Sequence, residues 1–164
     1  FRIFGMERSP FPVTGLSSIR SYLPYFTKGQ TIFLVHDTFM PAEDLDWALA
    51  HAHAHGLELI ICTCINANLY IENKLPPLRQ FMERGCRIVM GTDSYSSNWQ
   101  LSIGAEIASV RKHFPDIPEE AVFGWATLNG AKALRWDDEL GSIEKGKRPG
   151  LALLDEDHRS MRVA

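Results

Sequence analysis

Three short apolar runs punctuate the chain: Thr31–Val35, residues 57–62 and residues 87–90. The first, Thr31-Ile32-Phe33-Leu34-Val35, is continuous rather than alternating. That pattern suits a strand buried on both faces, as in a parallel sheet. Between the runs the pattern turns helical. Pro41 suits a helix's first turn, Glu43 and Asp44 favour its positive end, and the helix is expected to run to about His55, with Gly56 as its left-handed stop. Residues 76–84 predict a shorter helix ended by Gly85. Gly91 closes the third strand, and residues 101–113 and 118–134 predict two further helices separated by Pro115. Residues 1–30 read as irregular apart from one short helix over 17–25. The order strand, helix, strand, helix, strand, helix, helix predicts parallel strands joined by helical crossovers. This fits a segment of a barrel or an open doubly wound sheet. No phosphate-cradling glycine-rich loop follows any strand, which weighs against the open nucleotide-binding form.

With 164 residues, 45% hydrophobic and 23% charged, the chain can bury one real core. A formal charge of -3 and a pI near 6.1 give no electrostatic case for nucleic acid or an anionic membrane. No apolar run approaches the roughly 20 residues that span a bilayer. Cys62, Cys64 and Cys86 form an odd, apolar-embedded set, which argues against a disulfide framework and for a reducing, cytoplasmic setting. Cys62 and Cys64 are expected to point to opposite faces of their strand. The start, Phe1-Arg2-Ile3-Phe4-Gly5, has neither Met nor a signal-peptide pattern, and the chain is expected to be a piece of something longer.

In parallel α/β folds, the loops after the strands' C-terminal ends build the active site. Those loops offer His36, Asp37 and Thr38 after the first strand. After the second come Asn66, Asn68 and Tyr70, and after the third Thr92, Asp93, Ser94, Ser96, Ser97 and Asn98. Alone, His36 reads as a capped core histidine and Asp93 as a helix cap or Asx turn. Together at the ends of strands in one sheet, a histidine and a carboxylate make a plausible hydrolytic pair. The His51-Ala52-His53-Ala54-His55 run is a weaker candidate. On a helix, residues two apart point about 200° away from each other. The run reads as histidines interacting with a helix C-terminus, with His51 and His55 able to hold only an adventitious ion. Cys62-Thr63-Cys64 is too tight for a zinc knuckle.

In order along the chain, these loops resemble the amidohydrolase superfamily, in the branch of the cytosine, guanine and adenosine-type deaminases and the chlorohydrolases. His36 in Leu34-Val35-His36-Asp37-Thr38 resembles the histidine ending barrel strand six. Cys64-Ile65-Asn66-Ala67-Asn68-Leu69-Tyr70 resembles the strand-seven motif. Gly91-Thr92-Asp93-Ser94 resembles the strand-eight motif with its metal-binding aspartate. Residues 126–134 look like the helix after the barrel, and residues 141–151 like the return into a small β domain. The resemblance implies an α/β fold: the C-terminal portion of a metal-dependent (β/α)8 TIM barrel over residues 1–140, with the start of the small β domain over 141–164. It also implies a hydrolase of carbon–nitrogen bonds other than peptides, an aminohydrolase or deaminase that attacks a heterocyclic small-molecule substrate with metal-activated water. Asp93 is then metal ligand and proton acceptor, His36 a proton shuttle or polarising group, and Asn68 a shaper of the substrate loop. Zinc is the expected metal, with iron or manganese as alternatives.

The sequence departs from the family at Ile65, where Pro is usual, at Arg135, where Gly often follows the Ala-Leu pair, and at Pro149-Gly150. The family's strand-one His-x-His and strand-five His and Glu have no counterpart, and residues 1–30 hold no histidine. A whole barrel takes about 250 residues, so about three of eight strands are expected here. The chain alone is therefore expected to be inactive, to hold zinc weakly, and to associate with the rest of the barrel or with copies of itself. The competing expectation is a non-catalytic α/β module reusing the same strands for binding or assembly.

Overall fold

The computed structural model describes residues 15–155 and 160–162; the expectation that 1–14 are irregular lies outside the described residues. Three parallel strands, β1 (Thr31–Val35), β2 (Glu58–Thr63) and β3 (Arg87–Met90), pair in the order β1-β2-β3. The chain enters β1 through a short helix α1 (Ser18–Tyr22) and a tighter turn over Leu23–Tyr25 that starts its bend at Pro24. The connection from β1 to β2 is α2 (Ala42–His55), and that from β2 to β3 contains α3 (Ile65–Glu72) and α4 (Leu78–Glu83). After β3 come α5 (Ile103–His113), α6 (Glu119–Ala126) and α7 (Leu128–Ala133). A separate antiparallel pair, β4 (Ala152–Leu154) with β5 (Ser160–Arg162), ends the described chain.

The expected stop at Gly56 is realised: it sits at φ 65, and the Leu57 N–H reaches back to the Ala52 carbonyl. Gly85 ends α4 in the same left-handed region. Three helix expectations change. Residues 65–72, expected as loop, form α3. The expected helix over 118–134 is two helices, because at Thr127 the backbone swings to φ -134, ψ -94 and its hydroxyl bonds the Phe123 carbonyl instead. The expected helix over 17–25 tightens at Leu23 into a turn whose first residues include Pro24.

Side chains alternate across the sheet. One face carries Ile32, Leu34, Ile61 and Ile88 into the main core with Leu45, Leu78, Phe81, Ile107 and Val110. Fully burying a side chain such as Phe81 stabilises by about 1.5–3 kcal/mol, so this helix-covered face carries most of the stability. The register pairs Phe33 with Ile60 and Val35 with Cys62, which puts them on the other face. There Ile60 and Val89 pack with Ala133 of α7, while Phe33 is 39% and Val35 48% exposed. The expectation that β1 is buried on both faces therefore fails, because among the described residues β1 is an edge strand with helices over one side alone. Opposite faces for Cys62 and Cys64 also fails. Residues two apart on a strand share a face, and both sulfurs lie against Gly91, 3.2 and 3.3 Å from where its Cβ would stand.

Candidate functional site

The C-terminal edge of the sheet is built by three loops, one after each strand. The β1–β2 ladder runs one step past β1, with the His36 N–H donating to the Cys62 carbonyl at 3.0 Å. The chain then turns abruptly. His36 has φ 71, and the Asp37 N–H folds back to the Val35 carbonyl at 3.0 Å, a strained three-residue turn centred on the histidine. Asp37 is also left-handed, at φ 48. On β3, the Gly91 N–H reaches Thr63 at 2.9 Å, and Asp93 follows at φ 59. Three non-glycine residues in the left-handed region at one sheet edge mark a place where the surroundings hold the backbone against its preference.

The two turns bring the expected pair together. His36 Nε2 lies 3.4 Å from Asp93 Oδ2, with about a third of each side chain open to solvent. Beside them, Asp37 is different in kind. Its Oδ2 is buried with no hydrogen-bond partner among the described residues, and burial pushes its carboxyl up to about 6, against the opposing pull of His36. Below, the Cys64 thiol is pushed up by its contact with Cys62 and by burial, while the same contact lowers that of Cys62. A methyl at Gly91 would press on both sulfurs, so this close approach needs glycine.

Asn68 does not face solvent. It is 1% exposed, and its Nδ2 donates to Thr38 Oγ1, tying α3 to the loop that carries His36. Asn98 is buried too, and its Nδ2 donates to the Thr92 carbonyl at 2.7 Å and to Glu106 Oε1 at 2.9 Å. Glu106, fully buried on α5, is not among the residues that the strand-end loops point to. The signal was there: Ile103, Glu106 and Val110 fall three and four apart, placing an acid on a helix's apolar stripe. Burial raises its carboxyl, with the Asn66 amide and Asn98 opposing. Exposed rings rim the edge in all three loops: Phe39, Tyr70, Tyr95 and Trp99, the second and last meeting edge to face at 5.3 Å.

The remaining histidines stay apart from this edge chemistry. His51 and His55 stack at 4.0 Å in the last turns of α2, and the His55 Nδ1 bonds the His51 carbonyl, as expected of helix-terminal histidines. Among the described residues, no group of three or more His, Cys, Asp or Glu side chains converges on one point, and no helix is long and apolar enough to cross a membrane.

A model of the amidohydrolase family matches residues 17–163. The chain belongs to the amidohydrolase family. It is 32% identical over 137 residues to a 5-methylthioadenosine/S-adenosylhomocysteine deaminase of Halalkalibacterium halodurans, covering 79% of this chain and 30% of that one. It is 31% identical over 98 residues to an imidazolonepropionase of Bdellovibrio bacteriovorus, covering 58% and 22%. Among solved structures, the aminofutalosine deaminase of Helicobacter pylori aligns with TM-score 0.59 at 28% identity, over 73% of this chain and 29% of that one. An adenosine deaminase of Xanthomonas campestris with bound zinc has the same fold over 73% of this chain, at TM-score 0.60 and 24% identity. This member of the family spans less than a third of the length of the curated relatives that it matches.

Proposed function

We propose that this chain is the strand-six-to-eight portion of a metal-dependent (β/α)8 hydrolase that removes an amino group from a purine-like heterocycle. Residues 1–140 belong to the barrel and 141–164 begin the small β domain. The observation carrying this reading is the 3.4 Å approach of His36 Nε2 and Asp93 Oδ2 at one edge of a parallel sheet. Relatives that are deaminases by name support the substrate class, and the aromatic rim of Phe39, Tyr70, Tyr95 and Trp99 suits a flat ring.

The Asp93 carboxylate is a donor type that zinc takes, and iron and manganese accept it as well. It fills one place of such a site, since catalytic zinc typically has three protein ligands. The other ligands then come from strands outside this chain, and by itself the chain holds the metal weakly and turns over no substrate. When bound, the metal polarises the substrate and makes water a nucleophile near neutral pH. Deamination forms a bond from the water oxygen to the ring carbon and breaks the bond from that carbon to nitrogen, releasing ammonia. Asp93 Oδ2 accepts the proton that the water loses. His36 Nε2, facing it, orients that carboxylate and passes a proton toward the departing nitrogen. Asn68 holds the His36 loop through Thr38 rather than touching the substrate.

The partners are a small molecule and the remaining barrel strands, or a second copy, which would pair along the open edges of the sheet. Three free cysteines fit a reducing compartment, the cytoplasm. The non-catalytic module has one observation in its favour: the exposed Phe33 and Val35 beside the open edge of β1, a surface suited to assembly.

Asp93→Asn in the whole protein decides between them. An amide neither takes a proton nor neutralises a metal, so deamination of 5′-methylthioadenosine, followed by ultraviolet absorbance, is expected to stop while the protein stays folded. His36→Ala is expected to cost about 10²–10⁴-fold in kcat. Full turnover by the Asp93→Asn protein rejects the mechanism.

A further inference from the structure

We infer that Glu106 is a positioning residue, whose buried carboxylate sets the approach of His36 to Asp93 by holding the loops after all three strands at once. The inference rests on reading His36 and Asp93 as the reacting pair.

Each oxygen of Glu106 serves a different loop. Oε2 accepts the Asn66 N–H at 3.0 Å, in the first turn of α3, forty residues away in sequence. Oε1 accepts Asn98 Nδ2 at 2.9 Å. The same Asn98 Nδ2 holds the Thr92 carbonyl at 2.7 Å, the residue before Asp93. The other branch runs up α3, whose first turn is fixed a second time by Ser109 Oγ donating to Asn66 Oδ1 at 2.5 Å. From there Asn68 Nδ2 donates to Thr38 Oγ1, two residues after His36. One carboxylate therefore reaches Asp93 through Asn98 and Thr92, and His36 through α3, Asn68 and Thr38.

Core packing does not account for a carboxylate here. Glu106 is 0% exposed and makes no ion pair among the described residues, and a leucine-sized apolar group would fill the space without the cost of burying an acid. What the carboxylate adds is an acceptor for each of two loops: one for the start of α3, where the Ile65 and Asn66 groups face it, and one for Asn98. The loops that it holds contain the strained residues, His36 at φ 71, Asp37 at φ 48 and Asp93 at φ 59. Such conformations persist only where surrounding bonds over-determine them.

Glu106→Gln keeps the volume but offers one acceptor, and its new NH2 group meets a donor. One of the two loops must then let go. In the whole protein the expected result is a kcat lower by about 10–100-fold, as for lost partners of metal ligands, with KM changed much less. Amide exchange at Asn66 or within 92–98 should quicken, and a crystal structure should show His36 Nε2 and Asp93 Oδ2 beyond about 4 Å, outside ion-pair reach. Val110→Ala, one turn along α5 and equally buried, is the comparison: it should lower the melting temperature yet leave kcat and the pair's separation alone. If Glu106→Gln does not fold, Asn98→Ala cuts only the branch to Thr92 and should give the kcat loss without faster exchange at Asn66. Wild-type kcat, exchange and separation in a folded Glu106→Gln protein overturn the inference, as does an unchanged pair in Asn98→Ala. If the wild-type protein deaminates no heterocycle, the proposed function fails, while exchange and the crystallographic separation still decide the role of Glu106.

Discussion

Ile32 and Phe33 are neighbours on one strand, yet one is 8% exposed and the other 39%. The difference divides the sheet. On the side of Ile32, Leu34, Ile61 and Ile88, helices close over every strand. On the side of Phe33, Ile60, Cys62 and Val89, cover declines from β3, where Ala133 packs, to β1, where Phe33 and Val35 stand open. Parallel strands ordinarily have both faces covered, because their crossovers lay helices on them and their side chains are apolar both ways. The sequence of β1 suits that situation, and among the described residues the cover of β1 lies on one face. The lesson concerns inference from apolar runs: they report where a strand suits burial, not what buries it.

Truncating one residue on each face gives the largest effect and the sharpest contrast. Ile61→Ala, at 1% exposure, is expected to cost about 2–5 kcal/mol in urea unfolding of this chain. Phe33→Ala should cost about 1 kcal/mol or less there, since an exposed ring has little burial to lose. In a protein where further strands cover that face, the same Phe33→Ala change should rise to about 3–5 kcal/mol. Equal costs for Phe33→Ala in the two settings would show that nothing covers the open face.

The edge between the two faces differs from either, because it holds a buried carboxyl oxygen with no hydrogen-bond partner among the described residues. That oxygen belongs to Asp37. Folding raises its carboxyl from 3.8 to about 6, chiefly by burial. The neutral form is therefore the one that the fold prefers. Its contribution is fully present below about pH 4 and is lost as pH rises through about 6. Two pK units correspond to roughly 3 kcal/mol as an upper bound. Asp37→Asn should thus stabilise the chain by up to that amount at pH 8 and leave it nearly unchanged at pH 4, measured as urea midpoints across the range. A pH-independent difference would mean that the Asp37 carboxyl is not buried as described.

How much of this was legible beforehand follows a physical divide between local and distant causes. β1, β2, β3 and α2 announce themselves through apolar runs and through Gly56 and Gly85, because those signals act within a few residues. His36 and Asp93 were legible as strand-end residues, and parallel strands put such ends on one side. The start of α3 was not, since it is held by Glu106 across forty residues and by Ser109 across forty-three. The break at Thr127 has neither Pro nor a strong turn signal. Asp37 reads in the sequence as one more polar residue of the His36 loop, and only its burial in the fold distinguishes it.

The smallest effect compares two helix ends. α2 and α7 finish alike: in each, a residue just past the helix donates back over five residues, Leu57 to Ala52 at 2.9 Å and Trp136 to Ala131 at 2.8 Å. This closure needs a left-handed residue just before it. α2 provides Gly56 at φ 65, whereas α7 provides Arg135 at φ 60, where the family often has glycine. A side chain in that conformation costs about 1–2 kcal/mol, and glycine avoids the cost but gives back about 0.4–1 kcal/mol through a freer unfolded chain. Arg135→Gly should therefore stabilise by about 0.5–1 kcal/mol, visible as a small rise in the urea midpoint with no change in slope. The gain should be the same whether or not the open face is covered, because α7 and its closing turn are complete within this chain. A loss on Arg135→Gly would mean that the arginine side chain holds something the backbone geometry does not reveal, and would direct attention to the acidic stretch Asp137-Asp138-Glu139 beside it.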